Sequence, residues 1–276
     1  MPELPEVESI RRSLEPLVCG LQIARAEILD PRLVQPEQAS DISPRLEGER
    51  ISRLERRGKH LLLRLESGKT LVVHLRMTGS LQHRPKGSDP LPYERARLWL
   101  EDGSELAYRD VRRFGTWRLL DAVELESYLA ARVGPEPLEP DFSPELLRGR
   151  LAGRRTALKA ALLDQRTLAG LGNIYVDEAL WSARLHPATA AGSLSRQAIL
   201  RLHGAIRETL ELGIARQGAT LRDYALPDGE SGSMQHEFRV YGRGGEPCER
   251  CGTAISKTRI AGRGTWFCPR CQRRRD

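Results

Sequence analysis

The sequence contains no run of about 18 apolar residues, so no segment qualifies as a membrane span. It opens without a basic segment followed by an apolar one, so no secretory signal is expected and the cytoplasm is the expected compartment. Cysteine is scarce through most of the chain. Only Cys19 precedes residue 248, and a lone cysteine of this kind is most simply a small core residue. Net charge is missing from the first 238 residues, which carry 34 cationic and 34 acidic side chains. The whole excess of +7 belongs to Arg239–Asp276, with ten Lys/Arg against three acidic residues. A short basic piece on a neutral body points to a polyanionic partner, although a charge run can also be only a solvated tail.

The same piece holds Cys248-x2-Cys251, sixteen further residues, and Cys268-x2-Cys271. Each pair brings two thiolates within reach of one tetrahedral ion, and the interval leaves room for a two-stranded hairpin. This spacing predicts one structural zinc. Disulfides do not suit a cytoplasmic chain. Four cysteine ligands also leave no position for a catalytic water.

With 276 residues, 39% of them hydrophobic and 29% charged, the chain is long enough for two domains with cores of their own. Residues 5–18 predict a helix, with Pro5, Glu6 and Glu8 in its first turns and Val7, Ile10 and Leu14 on one face; Pro16 is expected to end it early. Between 21 and 120, short apolar runs at Arg50–Leu54, His60–Leu65, Thr70–Leu75, Ala96–Leu100, Glu105–Tyr108 and Thr116–Leu120 predict strands in two packed sheets or a barrel-like sandwich. ARVGPEPLEPDFSP, residues 131–144, reads as a stiff extended linker. Helices are expected at 144–151, 156–165, 173–183 and 195–217, followed by a mobile loop at Leu226–Gln235.

Several constellations allow a plain and a chemical reading. In MPELPEVE, the glutamates can simply complement the helix dipole while Pro2 is incidental. If Met1 is removed, however, Pro2 presents a secondary amine with a pKa of roughly 7.7–8.0, largely available for attack on a sugar C1′ and Schiff-base chemistry. Glu3 then lies beside the nucleophile and Glu6 one helical turn away, and paired carboxylates can divide acid and base work. GLGN, Gly170–Asn173, precedes a helix whose N-terminus can hold a phosphate, with Asn173 either capping the helix or donating to the ligand. Lys159 lies in the preceding helix. Lys59 sits at the mouth of a strand, while Met77, Arg112 and Phe114 fall in turns, where such tips either tuck into the core or insert into unstacked DNA.

Taken together, MPELPEVE, RRGKHLLL, HLRMTG, RRFG, GLGNIYVDEAL, VYGRGGEPCERCG and AGRGTWFCPRCQ resemble bacterial formamidopyrimidine-DNA glycosylase in order and spacing over essentially the whole chain. The resemblance implies an α+β multidomain protein. An N-terminal β-sandwich catalytic domain with an N-terminal helix would span 1–130. A linker would cover 131–144, a helix-two-turn-helix domain with a lesion loop 145–235, and a four-cysteine zinc finger 236–276. Its partner would be damaged double-stranded DNA, bound by a monomer in the cleft between domains. The implied activity is excision of 8-oxoguanine and formamidopyrimidines, followed by β,δ-elimination.

The resemblance also implies roles. Pro2 would be the nucleophile, Glu3 the acid/base at the sugar ring, Glu6 a supporting acid, and Lys59 a phosphate contact assisting catalysis. Asn173 and Arg263 would grip phosphates flanking the lesion, with Lys159 and Tyr241 in the same groove. Met77, Arg112 and Phe114 would fill the void left by the flipped base, a task with a clear energetic purpose. Two features depart from the family: DVRRFG stands where DPRRFG is usual, and PDGESGSMQ only partly follows the lesion-loop pattern. The rival readings are a relative of endonuclease VIII acting on oxidised pyrimidines and a non-enzymatic zinc-ribbon DNA-binding protein. PELPEV and the full void-filling trio weigh against the first; the β-domain motifs weigh against the second.

Overall fold

The apolar face of the N-terminal segment forms helix α1 (Leu4–Val18), which buries Val7, Ile10, Leu14 and Val18. A computed structural model describes residues 1–221 and 224–274; the end of the basic run, 275–276, lies outside the described residues. Two compact units result: Met1–Ala131 with Arg216–Ser233, and Arg132–Ala215 with Met234–Asp276.

In the first unit, α1 is followed by β1 (Ile23–Ile28), α2 (Ala39–Leu46), β2 (Ile51–Arg57), β3 (His60–Leu65), β4 (Thr70–His74), β5 (Gly79–Arg84), β6 (Glu94–Leu100), β7 (Glu105–Asp110), β8 (Thr116–Leu120) and α3 (Ala122–Ala130). Two antiparallel four-stranded sheets, ordered β1-β6-β7-β5 and β2-β3-β4-β8, share one core with α1. The second sheet is also covered on its other face, where Leu62, Val72 and Leu120 meet Leu125 of α3. Burial on both faces explains why HLLLRL and TLVVH read as continuous apolar runs rather than alternating ones.

Helix α1 continues through Pro16, because the ring falls in its last turn, where few hydrogen bonds remain to lose. Glu8 fastens the helix to the sheet by pairing with Arg56 of β2 at 3.2 Å, besides Arg11 and Arg12 on α1 itself. Cys19 is half-buried against the same core.

The second unit contains α4 (Pro144–Leu151), α5 (Leu158–Leu163), α6 (Asn173–Ala183), α7 (Arg196–Ala215) and the hairpin β9 (Ser256–Ile260) and β10 (Arg263–Phe267). The proline-rich segment at 131–144 is no free spacer. Gly134 N–H donates to the Gln165 carbonyl, Ala169 N–H to that of Pro135, and Phe142 stacks on His203 with ring centres 4.7 Å apart.

Residues 216–233 differ from the sequence expectation, which placed the lesion loop in the helical domain. Tyr224 and Leu226 enter the sandwich core, and His83 N–H donates to Pro227 O. Two buried apolar side chains outweigh sequence proximity to α7. The loop is pinned at its base, with Ser233 N–H on Arg216 O and Leu226 N–H on Glu230 O.

Candidate active site and nucleic-acid interface

Pro2 is buried just ahead of α1, and Glu3, 3% exposed, is the residue that caps the helix. Glu6 Oε2 accepts from Glu3 backbone N–H at 2.7 Å, the return half of a capping box. Its other oxygen accepts from Ala219 N–H at 2.8 Å, tying the base of the 216–233 segment to the helix start. That approach requires glycine at 218. Gly218 has φ of +81°, and a Cβ there would lie 2.7 Å from Glu6 Cγ. The capping and catalytic readings of the N-terminus therefore share the same atoms: Glu6 holds the backbone of the residue next to Pro2.

Lys59 is buried in the two-residue turn Gly58–Lys59 that joins β2 to β3. Gly58, at φ +57°, supplies the left-handed position such a turn needs. Nearby, His74 Nδ1 accepts from Arg76 N–H at 3.0 Å and its ring meets His60 edge-on at 4.6 Å. Burial first, then the charges of His60, Arg76 and Lys59, hold the His74 pKa well below its ordinary value, so the imidazole is neutral at pH 7.

The turns carrying Met77 and Arg112–Phe114 are held by one carboxylate. Asp110 Oδ1 accepts from the Thr78 hydroxyl and, at 3.2 Å, from Arg112 N–H; Oδ2 accepts from Gly115 N–H at 2.8 Å. Arg112 and Phe114 are exposed, and the guanidinium lies 4.6 Å over the ring. Met77 is half-buried. The valine replacing proline at 111 thus does not leave these turns unsupported, because Asp110 fixes both.

In the second unit, Asn173 is the first residue of α6, while Gly172 occupies the cap position. Its side chain does not cap its own helix. Nδ2 donates instead to Gly264 O on β10, at 3.0 Å, beside the exposed Arg263. Gln165 clamps the preceding turn, accepting from Gly170 N–H and donating to the carbonyls of Leu163 and Leu171.

Lys159 departs from the expectation of a DNA contact. It is 0% exposed, its ammonium is 2.7 Å from Asp177 Oδ1, and it donates to Gly264 O at 2.8 Å. Asp177 Oδ2 accepts from Trp266 N–H at 3.1 Å. The buried pair therefore works as a strut between α5, α6 and the hairpin, out of reach of a phosphate. Glu178 next to it accepts from three consecutive backbone N–H groups, Arg239, Val240 and Tyr241. The half-buried Tyr241 ring packs on Phe238 and Trp266.

The four sulfurs of Cys248, Cys251, Cys268 and Cys271 lie within 4.8 Å of one another. A tetrahedron with Zn–S bonds of about 2.3 Å has edges of about 3.8 Å, so the cluster fits one zinc ion with small adjustment. Trp181 Nε1–H donates to Cys248 Sγ and Cys271 N–H to Cys268 Sγ, contacts that stabilise thiolates. Four thiolates complete the sphere, so the ion is structural.

Family models match three successive stretches: "Formamidopyrimidine-DNA glycosylase N-terminal domain" over residues 1–117, "Formamidopyrimidine-DNA glycosylase H2TH domain" over 133–225, and "Zinc finger found in FPG and IleRS" over 245–274. The chain belongs to the formamidopyrimidine-DNA glycosylase family. Curated relatives include formamidopyrimidine-DNA glycosylases of Symbiobacterium thermophilum, 48% identical over 99% of this chain and 89% of the relative, and of Geobacillus kaustophilus, 46% identical over 99% and 100%. Among solved structures, a point mutant of the Lactococcus lactis enzyme in complex with Fapy-dG DNA superposes with a TM-score of 0.93 at 40% identity, covering 99% of this chain and 100% of that one. A complex of MutM with carbocyclic 8-oxo-G DNA gives 0.93 at 39%, with the same coverage.

Within this family frame, several supporting residues were not singled out from the sequence: Asp110, Gln165, Asp177, Glu178 and Gly218. A usable signal existed only for Gly218, which sits in QGAT directly after a long predicted helix. Asp177 and Glu178 take partners from distant positions, while Asp110 and Gln165 work largely through neighbouring backbone groups.

Proposed function

We propose that the chain is a DNA-formamidopyrimidine glycosylase of base-excision repair that removes oxidised purines from duplex DNA and then cuts the strand, using Pro2 as nucleophile. The observation that carries this reading is the N-terminus of α1, where a capping box with Glu6 fixes Glu3, the residue that directly follows Pro2. Once Met1 is removed, Pro2 nitrogen is a secondary amine rather than an amide. It attacks C1′ of the damaged nucleotide, the bond from C1′ to the base breaks, and the base departs with the electron pair and takes up the proton that the amine nitrogen gives up. Glu3 protonates the ring oxygen as the sugar opens to the iminium. Loss of a C2′ proton then expels the 3′ phosphate, a second elimination expels the 5′ phosphate, and hydrolysis frees the amine.

The remaining roles follow the same reading. Lys59 contacts a phosphate near the reacting sugar, while Asn173 and Arg263 grip flanking phosphates. Met77, Arg112 and Phe114 occupy the space left by the extruded base, offsetting the few kcal/mol lost in unstacking. Zinc orders the hairpin that carries Arg263 and takes no part in bond making. The protein acts as a monomer on DNA in the cytoplasm, associated with the nucleoid.

The test compares duplexes carrying 8-oxoguanine opposite cytosine with duplexes carrying an oxidised pyrimidine. The purine substrate should be cleaved preferentially, leaving phosphates on both sides of a one-nucleotide gap. Glu3→Gln should lose excision while keeping affinity for the duplex. Unchanged excision would remove Glu3 from its role, and preference for the pyrimidine would overturn the substrate assignment.

A further inference from the structure

A cleft of about 670 Å³ opens between the end of α6, the start of α7 and the second cysteine pair. Arg184, Arg201, Arg270 and Arg273 line it together with His186, and its described lining contains no Asp or Glu. Arg250 extends the same basic wall. It lies 3.7 Å over the Trp181 ring and donates to Trp181 O at 2.7 Å, so its position is fixed. Arg184 closes α6 with φ of +58°, a left-handed position usually given to glycine. Like charges gathered this closely repel one another, an arrangement that a bound anion relieves.

The cleft is separate from the phosphate grip. Asn173 opens α6 and Arg184 follows its last residue; eleven helical residues span about 16 Å. The lining also discriminates among polyanions. An unpaired nucleic-acid strand binds through aromatic faces on which its bases stack, but no Phe, Tyr or Trp lines the cleft and the His186 ring is already packed edge-on with Phe267 at 4.7 Å. A duplex presents its phosphates on a broad convex surface that a recess of this volume does not admit. Leu185, Leu194 and Ala198 instead provide an aliphatic floor among the guanidinium groups. Arginine forks match carboxylates bidentately, and an aliphatic floor accepts a side chain between them.

We infer that this cleft docks an acidic peptide segment of a protein partner, with its carboxylates on Arg184, Arg201, Arg270 and Arg273 and an aliphatic side chain on Leu185 and Leu194. The cleft lining includes neither Asn173 nor Arg263, so docking and the grip on DNA use different residues.

The full-length, zinc-loaded protein can be titrated into a fluorescein-labelled nonapeptide made of three Asp-Asp-Leu repeats, with anisotropy as readout at low ionic strength. Saturable binding is expected. R201A/R270A should weaken it by about tenfold or more, and the Asn-Asn-Leu version should not bind. R201K/R270K keeps the charge but loses the forks, and should weaken binding by at least about threefold. Zinc content and affinity for an abasic-site duplex should match wild type in both variants, which establishes that the unit is folded. No binding of the Asp-Asp-Leu peptide, or equal binding to R201A/R270A, would overturn the inference. So would displacement of the peptide by an octathymidylate whose own binding shows the same arginine dependence, because the cleft would then be a nucleic-acid site.

Discussion

Replacing both Lys159 and Asp177 by apolar residues is expected to leave the second unit stable, whereas breaking either half of the pair alone is not. Both side chains are buried, 2.7 Å apart. Burial pushes the Asp177 carboxyl up to about 7 from 3.8, against the opposing pull of the Lys159 ammonium and the Trp266 amide. A displacement of that size corresponds to roughly 4 kcal/mol by which the ionised carboxylate disfavours the fold at neutral pH. Lys159→Met strips Asp177 of its cation and leaves Gly264 O with only Asn173; Asp177→Leu strands a buried ammonium. Each single change should cost about 3–5 kcal/mol. The double variant K159M/D177L removes both charges and should fall between neutral and about 4 kcal/mol more stable than wild type.

The measurement is urea unfolding followed by tryptophan fluorescence and zinc release. It also has a pH signature. Because the folded pKa of Asp177 lies above the unfolded one, its stabilising contribution is fully present below about pH 4 and is lost as pH rises towards 7. Wild type should therefore gain on K159M/D177L as pH falls from 7 to 4. Additive losses in the double variant, or a difference insensitive to pH, would refute the reasoning.

Gly218→Ala should destabilise the first unit by about 1–3 kcal/mol through its left-handed backbone, seen as a lowered Tm. By displacing Glu6 it should also slow single-turnover excision. Asp110→Ala leaves the Thr78 hydroxyl and the Gly115 amide without their acceptor, and Arg112 N–H with Thr78 Oγ1 alone. It should cost about 3 kcal/mol in denaturant unfolding, whereas Val111→Pro should change stability by less than about 1 kcal/mol if Asp110 fixes these turns. Chelating zinc should weaken DNA binding in a filter assay while the far-UV signal of the β-sandwich persists.

The parts of the fold legible in the sequence are those whose burial is written locally. HLLLRL and TLVVH lie between two covered faces and read as strands; α1 and α7 carry apolar stripes; the cysteine pairs declare a tetrahedral cluster. The strands IARAEI and GSLQHR escape such a reading because they carry only a partial apolar pattern. Helices α2 and α3 bury only two residues and one residue, so they carry little apolar stripe to read. Lys159 misleads because burial of a lysine depends on Asp177, eighteen positions away, and on a carbonyl of β10. The 216–233 segment follows α7 in sequence, while Tyr224 and Leu226 bury their side chains in the sandwich. Within the candidate site, motif residues are visible as motifs, but what holds them is not. Asp110, Glu178 and Gln165 act by accepting backbone N–H groups, and a pattern of side chains does not record where backbone donors converge.

The central claim is that the amine of Pro2 forms a covalent bond with the damaged nucleotide. Borohydride reduction during reaction with a duplex carrying 8-oxoguanine opposite cytosine, followed by mass spectrometry of the trapped peptide, tests it directly. The adduct should map to Pro2 at the processed N-terminus and disappear in Pro2→Gly or in protein that retains Met1. An adduct on a lysine such as Lys59, or excision and strand cleavage undiminished with Met1 in place, would contradict the account.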